Sequence, residues 1–315
     1  MSDYCKELSL TLGQIVPFES IRAASASNWA NLPVCAVSAD SRQIHSGDVF
    51  FAIAGTRTHG FNFILEAISK GAVAAVVDSV EAYEQVSNRC PVLLVSDARE
   101  ALSLACRCQY AFPDTKLGVI GVTGTNGKTS VAWILAEALM RLTKSASGYL
   151  GTLGGRVLAC DPAAESEEWF QTANTTPDII TTVSFLDRIL KQGGQWSALE
   201  LSSHALDQKR ASGIALDAAI MTNLTRDYHL TMESYGMAKE TIFSTLLSLS
   251  TKRKKCAVFN ADDPFCYSLY SKYKCTGSGF RSICFSESNA EADVLLQSSE
   301  LSLRSSALSV SFAGE

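Results

Sequence analysis

Along this chain, short apolar runs alternate with stretches whose apolar positions recur at helical intervals. Residues 49–54 (Val-Phe-Phe-Ala-Ile-Ala) read as a buried strand, as do 72–77 and 92–95. Between the first two, Phe61, Ile64, Leu65 and Ile68 predict a helix over 61–70, which Gly71 stops. A second helix is predicted over 97–112, and residues 113–116 (Pro-Asp-Thr-Lys) read as a linker. The pattern then resumes, with apolar strands at 117–122, 197–201, 218–222 and 256–260 and helical segments between them, including an apolar one over 241–249. Such alternation implies an α/β protein with a mostly parallel sheet flanked by helices. It divides into a small α/β domain over 1–113 and a larger domain over 114–315. Residues 286–315 are Ser-rich with weak strand-like alternation and receive no assignment.

Composition narrows the function classes. The 315 residues suffice for two domains with sizeable cores. A content of 47% hydrophobic and 19% charged residues is that of an ordinary soluble globular protein. The net charge of −5 argues against a nucleic-acid surface, and the basic run at 252–255 reads as a solvated turn. Ten cysteines are scattered without a CxxC pair or metal-ligand spacing; several, such as Cys35, Cys90 and Cys256, lie in apolar runs and read as reduced, buried thiols. The first residues hold no apolar signal segment, and no run approaches the roughly 18 apolar residues of a membrane span. The expectation is a cytoplasmic monomer without membrane insertion.

The chemistry is concentrated after strand 117–122. The chain breaks into Gly124-Thr125-Asn126-Gly127, then Lys128-Thr129-Ser130, and enters a helix with Val131, Ile134, Leu135, Ala138, Leu139 and Leu142 on one face. Strand, glycine turn, Lys-Thr and helix build a phosphate-binding loop. Glycines let backbone amides close on phosphate oxygens, and the helix N-terminus adds partial positive charge. Lys128 can reach terminal phosphates, and the Thr129 hydroxyl can hold Mg²⁺. The reading is an ATP-using protein. The general pattern has an earlier glycine where this chain has Val122, so the match is to a shorter Gly-x-x-Gly-Lys-Thr form. A plain Gly-rich turn with a solvated lysine is the bland alternative, which the flanking strand and helix disfavour.

Other polar residues fall where strands end, the edge at which parallel sheets place ligands. Glu200 closes an apolar strand, a costly position for a carboxylate without a cation. Arg210 suits an anionic ligand. Asn174-Thr175-Thr176 offers uncharged donors and acceptors, or else caps a helix with Pro177 at its first position. Asp40-Ser41-Arg42 reads as a capped turn. Asn223 and residues 260–263 complete the set.

The string Thr-Gly-Thr-Asn-Gly-Lys-Thr at 123–129 resembles the Mur ligase superfamily, and family landmarks follow in order from about residue 37 to 264. Within it, Asp40-Ser41-Arg42 and Glu200-Leu-Ser-Ser-His-Ala-Leu-Asp-Gln208-Lys-Arg210 look like the MurE branch. The resemblance implies ligation of a diamino acid, diaminopimelate or lysine, to UDP-MurNAc-L-Ala-D-Glu through an acyl phosphate, with ATP and Mg²⁺. It implies ATP binding by residues 124–130. It assigns UDP-sugar contacts to Ser41, Thr56, Arg57 and Thr58, and further substrate contacts to Asn174, Thr175, Thr176, Ser202, Gln208 and Arg210. Metal binding falls to Thr129, Glu200 and Lys239, the last as a CO₂-derived carbamate, an oxygen ligand suited to a hard cation. Lys128, Lys239 and His229 are the implied catalytic residues.

Two departures stand out. Three residues of the family pattern are missing before Lys239; counted back from it, His229 matches the family's second histidine, and the first has no counterpart. The resemblance also stops short of the family's C-terminal domain, which closes over ATP and binds the amino acid. These leave open a UDP-sugar-peptide binding protein without turnover. MurF, MurC and folylpolyglutamate synthase are further alternatives, against which the Asp-Ser-Arg and Ser-Ser-His-Ala-Leu strings argue.

Overall fold

The computed structural model describes residues 10–55, 59–159, 169–225, 231–275, 277–301 and 306–313. It is an α/β protein of two compact units, one comprising 1–113 with 179–184, the other 114–178 with 185–315.

The first unit holds a five-stranded sheet. In chain order its strands are β1 (Ile21–Ala24), β2 (Val37–Ser38), β3 (Val49–Phe51), β4 (Ala74–Val77) and β5 (Val92–Val95), and across the sheet they run β1-β5-β4-β3-β2. β4 and β5 are buried at every residue, which is why they read as continuous apolar runs. The helix expected over 61–70 is a 3₁₀ turn, Gly60–Phe63, followed by α1 (Ile64–Ser69). The expected linker at 113–116 is itself a short helix. Cys35, expected to be buried, is exposed, and none of the eight described cysteines forms a disulfide.

The second unit is organised around nine strands: β6 (Gly118–Thr123), β7 (Ser147–Gly151), β8 (Gly154–Leu158), β9 (Trp196–Glu200), β10 (Ala218–Met221), β11 (Cys256–Asn260), β12 (Arg281–Ser286), β13 (Val294–Leu301) and β14 (Ser306–Phe312). They lie in the order β8-β7-β9-β6-β10-β11-β12-β13-β14, parallel except for the outer pairs β7–β8 and β13–β14. Register sets the site: Glu200 pairs with Val122, and Met221 pairs with Thr123, so three strands end together. The Ser-rich C-terminal residues left unassigned from sequence form the β13–β14 hairpin.

Helix α2 (Lys128–Thr143) follows the glycine turn. Its expected face is only partly right. Ala132 and Ala136 are buried, Val131, Leu135 and Leu139 flank them, and Ile134 and Leu142 are exposed. The helix is apolar almost all round, so periodicity did not single out a face; close approach to the sheet selects the alanines. Helix α3 (Ile179–Lys191) starts two residues after Pro177, which is therefore not its first residue. Helix α4 (Ser203–Asp207) follows β9, and α5 (Met232–Thr241) runs directly into a π-helical turn, Ile242–Leu247, where a plain helix was expected. In the basic run, Lys252 pairs with Asp217 at 2.8 Å and Lys255 donates to the carbonyl oxygens of Ser248 and Ser250, so half of this turn is structural rather than solvated.

Candidate active site

The glycine turn between β6 and α2 takes its shape from positive φ at Gly124 (141°) and Gly127 (83°). A side chain at Gly124 would in addition collide with the Thr222 hydroxyl. The loop is braced by the segment after β10. Thr125 N donates to Asn223 O at 3.0 Å, Asn126 N to Asn223 Oδ1 at 3.0 Å, and Thr222 Oγ1 to Asn126 O at 2.6 Å. Thr225 N donates to Thr125 Oγ1 at 3.0 Å. Gly127 occupies the cap position of α2, and no side chain caps that helix, which points its first amides at whatever the loop holds.

Two lysines converge on one loop carbonyl. Lys128 Nζ donates to Gly124 O at 3.0 Å and to Thr125 O at 2.8 Å. Lys239 Nζ donates to the same Gly124 O at 2.7 Å, from a residue only 1% exposed, and lies 4.2 Å from the centroid of the Tyr235 ring. Like charges gathered on a neutral acceptor raise the local potential for an anion.

Glu200, at the end of β9, is also 1% exposed. Its Oε2 accepts from Thr129 Oγ1 at 3.0 Å and Thr152 Oγ1 at 3.1 Å. Its Oε1 accepts from Thr152 N at 3.0 Å and from the Tyr149 phenol. Hydrogen bonds to a charged group contribute about 1.5–3 kcal/mol each, so this set can offset the cost of burying the carboxylate. Burial pushes the Tyr149 phenol well above its ordinary pKa, and the Glu200 carboxylate adds to the shift, so the phenol remains a donor.

The other expected residues divide into groups. Thr176 Oγ1 donates to Glu200 O at 2.7 Å and accepts from Ser202 N at 2.9 Å. Ser202 Oγ accepts from Ala205 N at 3.2 Å, capping α4. Arg210 donates to Gln208 Oε1 through Nε (2.9 Å) and Nη2 (2.6 Å), and to Thr176 O through Nη1 (3.2 Å). Thr175 Oγ1 lies 3.1 Å from Thr152 Oγ1, which links it to Glu200. Asn174 is exposed, and its carbonyl accepts from Thr172 Oγ1 at 3.0 Å. Ser41 is buried in the first unit, in a turn capped by Asp40, whose Oδ1 accepts from Arg42 N at 2.9 Å. Thr56, Arg57, Thr58 and His229 lie outside the described residues. Tyr149, Gly151 and Thr152 were not singled out from sequence, since each sits in an apolar or turn context with no motif of its own.

Residues 122–314, more than half of the chain, match the model of the Mur ligase middle domain, and residues 33–110 match that of the Mur ligase family catalytic domain. The chain belongs to the Mur ligase family. It is 37% identical over 236 residues to the UDP-N-acetylmuramoyl-L-alanyl-D-glutamate–2,6-diaminopimelate ligase of Parabacteroides distasonis, covering 74% of this chain and 45% of that one. The ligase of the same name from Geobacillus kaustophilus is 37% identical over 238 residues, covering 74% and 46%. A solved structure of a ligase of that name superposes with a TM-score of 0.76 at 26% identity, covering 96% of this chain and 57% of the other. This Mur ligase chain thus spans about half the length of the curated relatives it matches.

Membership of the Mur ligase family implies Mg²⁺. Among the described residues no group of three or more His, Cys, Asp or Glu side chains could hold a metal on its own. The Thr129 hydroxyl and the Glu200 carboxylate, 3.0 Å apart beside the glycine turn, are hard oxygen donors. Mg²⁺ usually takes one or two such groups and completes its shell with phosphate and water, so the residues fit the ion. Among the described residues, no helix is long and apolar enough to cross a membrane.

Proposed function

We propose that this chain carries the ATP-binding and UDP-MurNAc-dipeptide-binding parts of a MurE-type ligase, which joins a diamino acid to UDP-MurNAc-L-Ala-D-Glu. One cluster carries the reading: Lys128 and Lys239 gathered on Gly124 O at the glycine turn, with Glu200 bonded to Thr129 in the first turn of α2. The 37% identity to ligases of that name supports the substrate class. Lys128 and the first amides of α2 bind the ATP phosphates and stabilise charge on the transferring phosphoryl group. Thr129 and Glu200 would hold Mg²⁺, which when bound draws charge from the phosphate oxygens. The D-glutamate carboxylate takes the phosphoryl group, and the amine then displaces phosphate from the acyl phosphate. ATP is needed because amide formation in water is uphill.

Arg210, oriented by Gln208, is proposed to meet an anionic group of the substrate, beside Thr175. Thr176 and Ser202 stand behind them and hold the end of β9. In the first unit Ser41, with Thr56, Arg57 and Thr58, is proposed for the UDP-sugar. Calorimetry with UDP-MurNAc-L-Ala-D-Glu should detect binding that Arg210→Ala weakens about tenfold or more, as expected for loss of one charge-assisted contact. Absence of binding at millimolar ligand, or equal affinities, would sink the substrate assignment.

Lys239 is proposed to carry a carbamate. Replacing one of two converging ammonium groups with an anion would relieve their repulsion and supply an oxygen ligand. In ¹³C-bicarbonate the protein should show a carbamate carbon signal that Lys239→Arg removes. A signal that survives this substitution, or none in the wild type, rules the modification out.

A further inference from the structure

The two oxygens of Glu200 are not equivalent. Oε2 faces the phosphate loop, bonded to the hydroxyls of Thr129 and Thr152. Oε1 faces the β7–β8 turn, bonded to the Thr152 amide and the Tyr149 phenol. Three features fix this orientation. Gly151 leaves the room the carboxylate occupies; a Cβ there would collide with Oε1. Tyr149 is fully buried in β7, its ring set edge-on to Trp133 and Trp169 with centroids at 5.4 and 5.8 Å. The phenol oxygen in turn accepts from Leu153 N at 3.3 Å, tying it to the turn. A phenylalanine would fill the same space in the aromatic cluster, so the hydroxyl is what adds a function.

We infer that Tyr149 is a positioning residue that withholds Oε1 from the metal, so that Glu200 offers a cation Oε2 alone and the site favours Mg²⁺ over Ca²⁺. This role of Tyr149 rests on the proposed nucleotide site. Mg²⁺ is satisfied by single oxygens from each group in a tight octahedron, whereas Ca²⁺ takes six to eight oxygens and gains from two-oxygen carboxylate binding. Each oxygen accepts two bonds, but those of Oε2 come from hydroxyls that can turn their protons away and leave it to a metal, whereas those of Oε1 come from a backbone amide and a phenol held in the turn and strand, so two-oxygen binding would work against both. Removing the phenol leaves one of them and lets the carboxylate rotate.

The test is ADP affinity by calorimetry, measured in Mg²⁺ and in Ca²⁺, for wild type and Tyr149→Phe. Metal is also titrated into each ADP complex by tryptophan fluorescence, which Trp133 and Trp169 report from beside the phenol. The wild type should bind ADP more tightly with Mg²⁺. Tyr149→Phe should lose about tenfold in the Mg²⁺ series, the worth of a hydrogen bond to a charged group, and little in the Ca²⁺ series. A variant that is merely loosened would lose equally in both. Equal losses, or an unchanged Mg²⁺-to-Ca²⁺ ratio, overturn the inference. Should Tyr149→Phe fail to fold, the wild type still decides: equal ADP affinity with the two cations overturns it. Failure to bind ADP in the presence of either cation would instead remove the nucleotide-site reading itself, and this inference with it.

Discussion

Glutamine at position 200 should cost about 10²-fold or more in Mg²⁺-supported ADP affinity, while leaving the weak metal-free affinity nearly untouched. Loss of an outer-shell partner already costs roughly 10–100-fold in metal affinity, and Glu200 is proposed as a direct ligand. The substitution preserves shape but not polarity. Four donors converge on the two oxygens, so the amide NH₂ of glutamine faces a donor whichever way it turns. A stability loss of about 1–3 kcal/mol should accompany the binding defect, from donors left without acceptors. Calorimetry with and without Mg²⁺, beside a thermal melt, reads both effects. Equal Mg²⁺ dependence in the variant and the wild type would remove Glu200 from the metal site.

Alanine at Lys128 should weaken Mg²⁺-ADP binding by a similar ~10²-fold, from two lost charge-assisted contacts at about 1.5 kcal/mol each. Here the metal-free affinity should fall as well, because the lysine acts on phosphate directly. That difference separates the two variants. Stability should change little, since the Lys128 contacts are to loop carbonyls at a part-buried position that Lys239 also serves. Unchanged affinity would overturn the phosphate-loop assignment.

The α/β class was legible because parallel strands buried on both faces leave unbroken apolar runs. Strand 92–95, buried at every residue, was bounded to the residue for that reason, and strand 256–260 was bounded equally well although only alternate residues are fully buried. Exposed and one-sided elements were harder. The β13–β14 hairpin keeps Leu308, Val310 and Phe312 exposed, so its alternation carries little contrast against serine. In the site, Lys128, Thr129, Glu200 and Lys239 were singled out by motif, and the structure brings them to one end of β6. Tyr149 was invisible: it sits in a buried strand as any aromatic core residue does, and its partner lies 51 positions away. The π-helical turn after Lys239 likewise has no marker in residues that would suit an ordinary helix.

The phosphate loop looks local in sequence but is not. Its shape depends on bonds from Thr125 and Asn126 to Asn223, 97 positions on for Asn126 and Asn223, and on Lys239, 115 positions from Gly124. The strands flanking β6 are likewise contributed by β9 and β10, far along the chain. Entropy of loop closure must be met before such pairings are rewarded, which makes them late events in folding. During synthesis, a nascent chain ending soon after α2 therefore has the motif without the binding site. On the proposed reading, competence for nucleotide waits until the segment through residue 241 has left the ribosome and α5 can dock. Until then ATP would have no native loop to stabilise and could not act as a folding ligand.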